Sequence, residues 1–443
     1  MLQNTSIFFL KAENLFGIHN SSSPLRNLMR KYSFFSLSYQ FLFLFSDTFL
    51  MFYVLQYVKF SQFGILIAIM YLVQTLTDYP SGNLGDYIGQ RWVIAIAFFL
   101  FCQAYTLLLF SSSFIQFVLI YVLLALAQSQ YSGTLQSWFD NNYNSINNEK
   151  FYQNSIYKTF IGRITIWTRI IGSISILIGG LIAFLLFRQI VFSLQIIGYF
   201  LLTLLAIKLL KDLPSHVVSK ASHKSIRLVF IEGIKFIFIK KEITIYVLGY
   251  IIFGTIWTIW SQLILIPLYY GYTGNDFLAS LFRFAAWIVS LILANIGIRK
   301  ASIVSEYSLI PRYRLVTTFL IFGGFAILFS FFSFETGVFN IIGISLTLLI
   351  FLIFPIWDLS SDLLEKELFL HVIPNELRTS IYSLLPSLVT IVGIPSIIIS
   401  GIIIENYGFV CIMLILLISG LMSIIFQEMG LRLMNKLIKI KIS

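Results

Sequence analysis

The sequence predicts an all-α membrane protein of twelve transmembrane helices, arranged as two pseudo-symmetric six-helix bundles. Three observations predict it. Charged residues make up only 11% of the chain against 58% hydrophobic, with a mean hydropathy of +0.90, whereas a soluble domain carries about 25% charged residues. Apolar runs of the length that crosses a bilayer, about 20 residues, recur from end to end. A long basic stretch at about 211–242 separates six such runs from six more. Inside a bilayer every backbone polar group must be satisfied internally, so runs of this length are helices. The short alternating strands of a membrane barrel are not found.

The elements follow in order. Residues 1–32 form an amphipathic lead with Lys11, Arg26, Arg30 and Lys31. Its apolar run Ile7–Leu10 is too short for a signal-peptide core. The sequons at Asn4 and Asn20 would face the cytoplasm and carry no weight. The predicted spans are 33–57, 62–80, 92–111, 114–138, 158–186, 190–210, 243–269, 276–298, 315–334, 337–360, 380–403 and 408–428. The expected organisation is therefore an N-terminal bundle at 33–210, a cytoplasmic linker at 211–242, a C-terminal bundle at 243–428 and a basic tail at 429–443. The linker holds Lys211, Lys220, Lys224, Arg227, Lys235, Lys240 and Lys241.

Charge sets the expected orientation. With the N-terminus in the cytoplasm, cytoplasmic segments hold 25 of the 30 Lys and Arg, including Arg299, Lys300, Arg312 and Arg314 in the loop before the ninth span. Outer loops hold only Lys59 and Arg188, while Arg163, Arg169 and Arg283 fall within spans. A bias this large places both termini inside. An odd number of spans would put the basic tail outside. The net charge of +11 reads as positive-inside loops rather than nucleic-acid binding. The two cysteines, Cys102 and Cys411, lie in apolar runs without partner motifs, so neither a disulfide nor a metal site is expected.

The stretch Thr77–Trp92 is a polar island between the second and third spans, where Pro80, Gly82, Gly85 and Gly89 are expected to break the helix. Its order G-x-L-G-D-x-x-G-x-R resembles the signature loop of the major facilitator superfamily, which joins that family's second and third helices. Gly82, Leu84, Asp86, Gly89 and Arg91 match the family pattern. Tyr87 and Gln90 stand where it usually has Arg. The halves also resemble each other weakly: Trp138 and Asp140 end the fourth span as Trp357 and Asp358 lie near the end of the tenth. Asn148-Glu149 precedes Ser155-Ile156-Tyr157 as Asn375-Glu376 precedes Ser380-Ile381-Tyr382. Such internal symmetry suits a facilitator-type transporter. The loop Ile373–Ser380 also looks like the family's loop between spans ten and eleven. The resemblance leans toward efflux-type members, with two departures from drug/proton antiporters: Ser129 stands near the place of a buried Arg in span four, and Ser175-Ile176 stand where Gly-Pro would fall in span five.

Charges inside a bilayer are costly and usually paired or hydrated. Asp47 lies near the middle of span one with Gln40 on the same face. By the resemblance that face lines the substrate path; the alternative is a structural carboxylate. Arg169 in span five is its expected partner, and Arg163 is close enough to the inner face to snorkel. Arg283 in span eight shares a face with Asp276, as a gate or a packing clamp. Asp358, Asp362 and Glu365 form one acidic stripe on span ten. That stripe either closes the inner mouth against Arg163 and basic loops or is a solvated helix end. Trp257 and Trp260, with Tyr250 two turns earlier, form an aromatic face suited to an organic cation or to lipid. His19, His216, His223 and His371 lie outside the spans, so a histidine relay is not expected.

There is no phosphate-binding loop, metal-ligand cluster or nucleophile elbow. No cofactor and no enzymatic activity are expected. The resemblance implies a secondary transporter in the cell membrane that works by alternating access. Its partners would be a small organic solute, protons as candidate coupling ions, and the lipid bilayer. It would act as a monomer. Export is the expected direction, with uptake, uniport, or a non-transporting sensor or scaffold as alternatives. The resemblance gives Asp86 the role of capping a neighbouring helix end, puts the usual ionic relay to Asp140 in doubt for lack of an Arg at position 90, and leaves Arg91 as its substitute.

Overall fold

The computed structural model describes residues 16, 22–147, 155–212, 234–303, 306–333, 337–373 and 375–442. Among these, the regular structure is helical throughout. Among the described residues, ten helices are long and apolar enough to cross a membrane. The last, Leu384–Met434, spans 51 residues and belongs to a helical run, Asn375–Ile442, that is non-helical at Gly408 (φ 76°, ψ 179°). Only a residue without Cβ adopts that conformation cheaply. Asp276–Ile303 is a further long helix. Most of the N-terminal lead, the greater part of the basic linker and Pro374 lie outside the described residues, as do the surroundings of Gly82 and the side chain of Asp86.

Contacts divide the chain into two compact units, Met1–Tyr57 with Val73–Ser219, and Val58–Leu72 with Lys220–Ser443. The first unit has an aromatic core. Phe101 and Tyr105 stack on Tyr199 at 4.8 and 5.8 Å between ring centroids, and Tyr39 stacks on Tyr131 at 3.7 Å. Its first helix is discontinuous. Ser23–Leu44 ends, Phe45 and Ser46 turn, and Asp47–Leu55 restarts. A break of this kind frees carbonyls that lipid cannot satisfy, and other helices supply donors. The Ser175 hydroxyl donates to Phe41 O, and Gln195 Nε2 donates to Leu42 O at 2.7 Å. Gly179 makes room: a Cβ there would lie 1.8 Å from Phe45 O. The serine that departs from the antiporter pattern thus closes a backbone gap.

The polar island behaves differently from expectation. The helix Phe60–Ile88 continues through Pro80, Gly82 and Gly85 and ends at Gly89, whose φ is 93°. A proline removes one intrahelical bond, and glycine accepts helical angles at modest cost. Only the positive φ forces a stop. The Arg91 N–H then donates to Asp212 Oδ1 at 2.9 Å, capping the next helix, Gln90–Phe110. Any side chain at Gly89 would collide with the same carboxylate, its Cβ lying 2.3 Å from Asp212 Oδ2.

The second unit packs through small residues. Ser423 Oγ donates to Gly249 O at 2.7 Å, and a Cβ at Gly249 would lie 2.7 Å from Ser423 O. Close backbone approach of this type replaces the hydrophobic drive that lipid removes. Glu405 accepts the Ser61 N–H at 2.9 Å and lies 3.9 Å from Lys59, at the start of the helix from Phe60. In the Lys241–Gly271 span, residues Trp260–Ile264 form a wide π-turn. Pro267 follows three residues later and offers no N–H to the carbonyl at Leu263, which loosens the preceding turn.

Candidate functional site

The acidic stripe finds its cation inside the second unit. Asp358, Asp362 and Glu365 fall on one face of Ile341–Val372. Facing them is Arg314, on Leu309–Thr318, with its side chain only 5% exposed. Arg314 was expected in a cytoplasmic loop. The span begins at Leu309 instead of position 315, which moves this residue out of the loop and into the protein. Nη1 meets Asp358 Oδ1 at 3.1 Å; Nη2 meets Asp362 Oδ1 and, at 3.2 Å, Glu365 Oε2. The Tyr246 hydroxyl donates to Glu365 Oε1 at 2.7 Å. The guanidinium carbon lies 4.0 Å from the centroid of Phe253. Charges taken from water survive only with this density of partners. Of the cations suggested by sequence, Arg163 or the basic loops, Arg163 lies on an exposed face of Ser155–Leu185 in the first unit, and the partner is the residue counted with the loop before the ninth span.

This cluster forms one wall of a cavity of about 590 Å³. Tyr250, Phe253, Trp257, Phe369 and Tyr382 form much of the remainder. Volume and lining are those of a small-molecule site: concave, mostly apolar, with a few converging polar groups. Trp257 therefore faces a cavity, and Trp260 is buried at 2% exposure against Phe325, with ring centroids 5.0 Å apart. Neither position is the lipid contact that sequence left open.

The other predicted residues are dispersed. Asp47 opens the second segment of the broken helix and is partly buried, within electrostatic range of Tyr105 and Tyr121. Ser46, its neighbour in the chain, and Gln195, which bonds Leu42 O, are fully buried. Gln40 packs on Gly172, where a Cβ would lie 3.1 Å from its Nε2. Arg169 is exposed, and among the described residues no ion pair joins it to Asp47. Arg283 and Asp276 are both buried, Arg283 lying 5.8 Å from the Trp287 ring. Asp140 accepts from Gln136 Nε2 and from the Tyr157 hydroxyl, each at 2.9 Å, and Tyr32 extends the network by donating to Gln136. Leu84 is exposed, and the Arg91 guanidinium lies 5.0 Å from the Trp92 ring. No motif or spacing in the sequence singles out Asp212, Arg314 or Tyr246 as site residues.

The profile of the Major Facilitator Superfamily matches residues 34–368. The chain belongs to the Major Facilitator Superfamily. That membership makes it a multi-pass membrane transporter of small molecules and not an enzyme. No curated protein matches its sequence. Several solved structures share the fold. The nucleoside transporter NupG superimposes with a TM-score of 0.72 at 16% identity, covering 91% of this chain and 99% of that one. The POT family transporter PepTSo gives 0.67 at 9% identity over 93% and 98%. A bacterial homologue of the iron transporter ferroportin, in an inward-facing state, gives 0.66 at 14% over 91% and 98%. At such identities the likeness is one of fold alone.

Proposed function

We propose that this superfamily member is a secondary active transporter that exports a small organic solute by alternating access, driven by an ion gradient. The observation that carries the reading is the cavity of about 590 Å³ with a hydrogen-bonded ion cluster in its wall, buried at Arg314 and Glu365. A protein that needed only a stable scaffold would be as well served by apolar residues at Arg314 and Glu365. Retaining charges beside an aromatic-lined cavity suits solute recognition.

The proposal includes the topology. Dividing Leu384–Met434 at Gly408 and adding Asp276–Ile303 to the remaining long helices gives twelve spans. An even number keeps both termini on one side, the cytoplasm by the basic-residue bias. Two six-helix bundles at 33–210 and 243–428 follow, in the cell membrane. Export rests on the chain's resemblance to efflux-type members. Asp47, at a helix break among buried polar groups, is the proposed coupling acid, because broken helices are where transporters seat ions. The loop from Gly82 to Arg91 is the proposed state switch, with Asp212 as the acid that anchors Arg91. Asp358 and Asp362, held by Arg314, are proposed to contact solute.

The test is reconstitution. Purified protein in sealed vesicles is loaded with a panel of solutes pre-selected by ligand-induced thermal stabilisation. Flux that responds to an imposed proton gradient is expected. Vesicles no more permeable than protein-free ones to every stabilising solute would overturn the reading.

A further inference from the structure

The cavity's charge balance names the class of solute. Three carboxylates share the lining with two cations, the buried Arg314 and the exposed Lys366, so acids outnumber bases. Arg314 turns Nη1 to Asp358 and Nη2 to Asp362 and Glu365, while its Nε is buried without a partner. Glu365 is satisfied by Arg314 and Tyr246. Asp358 and Asp362 are not. Each meets Arg314 through Oδ1, and neither Oδ2 has a partner among the described residues. The Asp362 side chain is 42% exposed beside the cavity, against 5% for Arg314 and 4% for Glu365.

An anion entering here would face more carboxylates than cations, and a guanidinium whose two terminal nitrogens both already bond carboxylates. A neutral apolar solute would cover open carboxylate oxygens without pairing them, which is unfavourable. A cation with N–H donors meets both requirements. The aromatic wall of Tyr250, Phe253, Trp257, Phe369 and Tyr382 favours a positive charge over its ring faces and an apolar body between them. Among the described residues no group of acids, histidines or cysteines is placed to hold a metal ion, and the aromatic lining favours an organic body.

We infer that the solute taken by this cavity is an organic cation, an ammonium or guanidinium group on an apolar, preferably aromatic, body. The inference deepens the transport reading and rests on it. Three probes share one body and differ in charge: phenethylammonium, 2-phenylethanol and 3-phenylpropionate. Their binding to the full-length protein in nanodiscs is measured by calorimetry. The cation should bind about tenfold or more tightly than the alcohol, the anion weakest of the three. Asp362→Asn should reduce the cation-over-alcohol ratio by about tenfold, leaving the alcohol's own affinity unchanged. Asp358→Asn serves as the second variant if Asp362→Asn does not fold. Equal or reversed ranking, an unaltered ranking in both variants, or no cation binding at millimolar concentration would overturn the inference. Vesicle flux distinguishes the two levels: vesicles that move only neutral or anionic solutes defeat the cation assignment and leave the transport reading intact.

Discussion

Replacing Arg314 by Met keeps the length of the side chain and removes its charge. The guanidinium is 5% exposed and holds three carboxylates, at 3.1 Å for Asp358 and 3.2 Å for Glu365, with Asp362 also in contact. Its loss leaves Glu365, itself 4% exposed on its side chain, as a buried charge whose remaining protein partner is Tyr246. Breaking such a pair from one side costs about 3–5 kcal/mol. At about 2 °C per kcal/mol for a large domain, the midpoint of thermal unfolding should fall by about 6–10 °C. The assay is tryptophan-fluorescence or size-exclusion melting of purified protein in one detergent. A cycle separates charge from packing: Arg314→Met with Glu365→Gln should recover part of the loss, with a coupling of about 0.5–3 kcal/mol. Arg314→Lys should recover less than the wild type retains, because an ammonium does not present the fork that reaches three acceptors. A midpoint for Arg314→Met within about 1 °C of wild type, or strict additivity with Glu365→Gln, would refute the argument that this cluster is held by the ion pairs.

The remaining predictions concern the first unit and the topology. Asp47→Asn should fold normally, lose gradient-driven flux and keep solute exchange; undiminished gradient-driven flux would remove Asp47 from coupling. Gly179→Ala places a Cβ 1.8 Å from Phe45 O and should lower yield and melting temperature through an overpacking cost of about 1–3 kcal/mol, whereas unchanged melting would mean the helices part freely there. Asp212→Ala should cost about 0.5–2 kcal/mol through the lost cap on the Gln90–Phe110 helix, read as a lower melting midpoint, and a neutral result would show the cap to be idle. A reporter fused to the C-terminus should be active on the cytoplasmic side, and activity outside would contradict an even number of spans.

Much of the fold was legible because bilayer spans are written in composition. Each of the predicted spans overlaps an observed helix, and the errors lie at the ends, where polar residues continue a helix that hydropathy has already closed. Phe60–Ile88 outran its predicted end at 80 for that reason. The break at Phe45 and Ser46 was not legible. Neither residue disfavours helix strongly, and the turn is held by Ser175, Gln195 and Gly179 from helices far away in sequence.

The site was half legible, and the missing half has a physical cause. Spacing alone put Asp358, Asp362 and Glu365 on one face, and three like charges on one face demand a cation. Which cation depends on which helix packs opposite, a tertiary fact that periodicity does not carry. Arg314 was further concealed by its neighbours. Pro311, Arg312 and Tyr313 lower the local hydropathy, so an apolar window starts after Arg314 and assigns it to solvent. The burial of Ile310 at 0% and Tyr313 at 7% exposure shows that turn to be inside the protein. A buried acidic stripe should therefore be matched against basic residues within a turn of every span boundary, not only against those inside spans. Snorkelling lets an Arg at a span's end stay wet when nothing opposes it. Here the acids on Ile341–Val372 draw it inward, so the stripe and the misplaced span boundary have the same explanation.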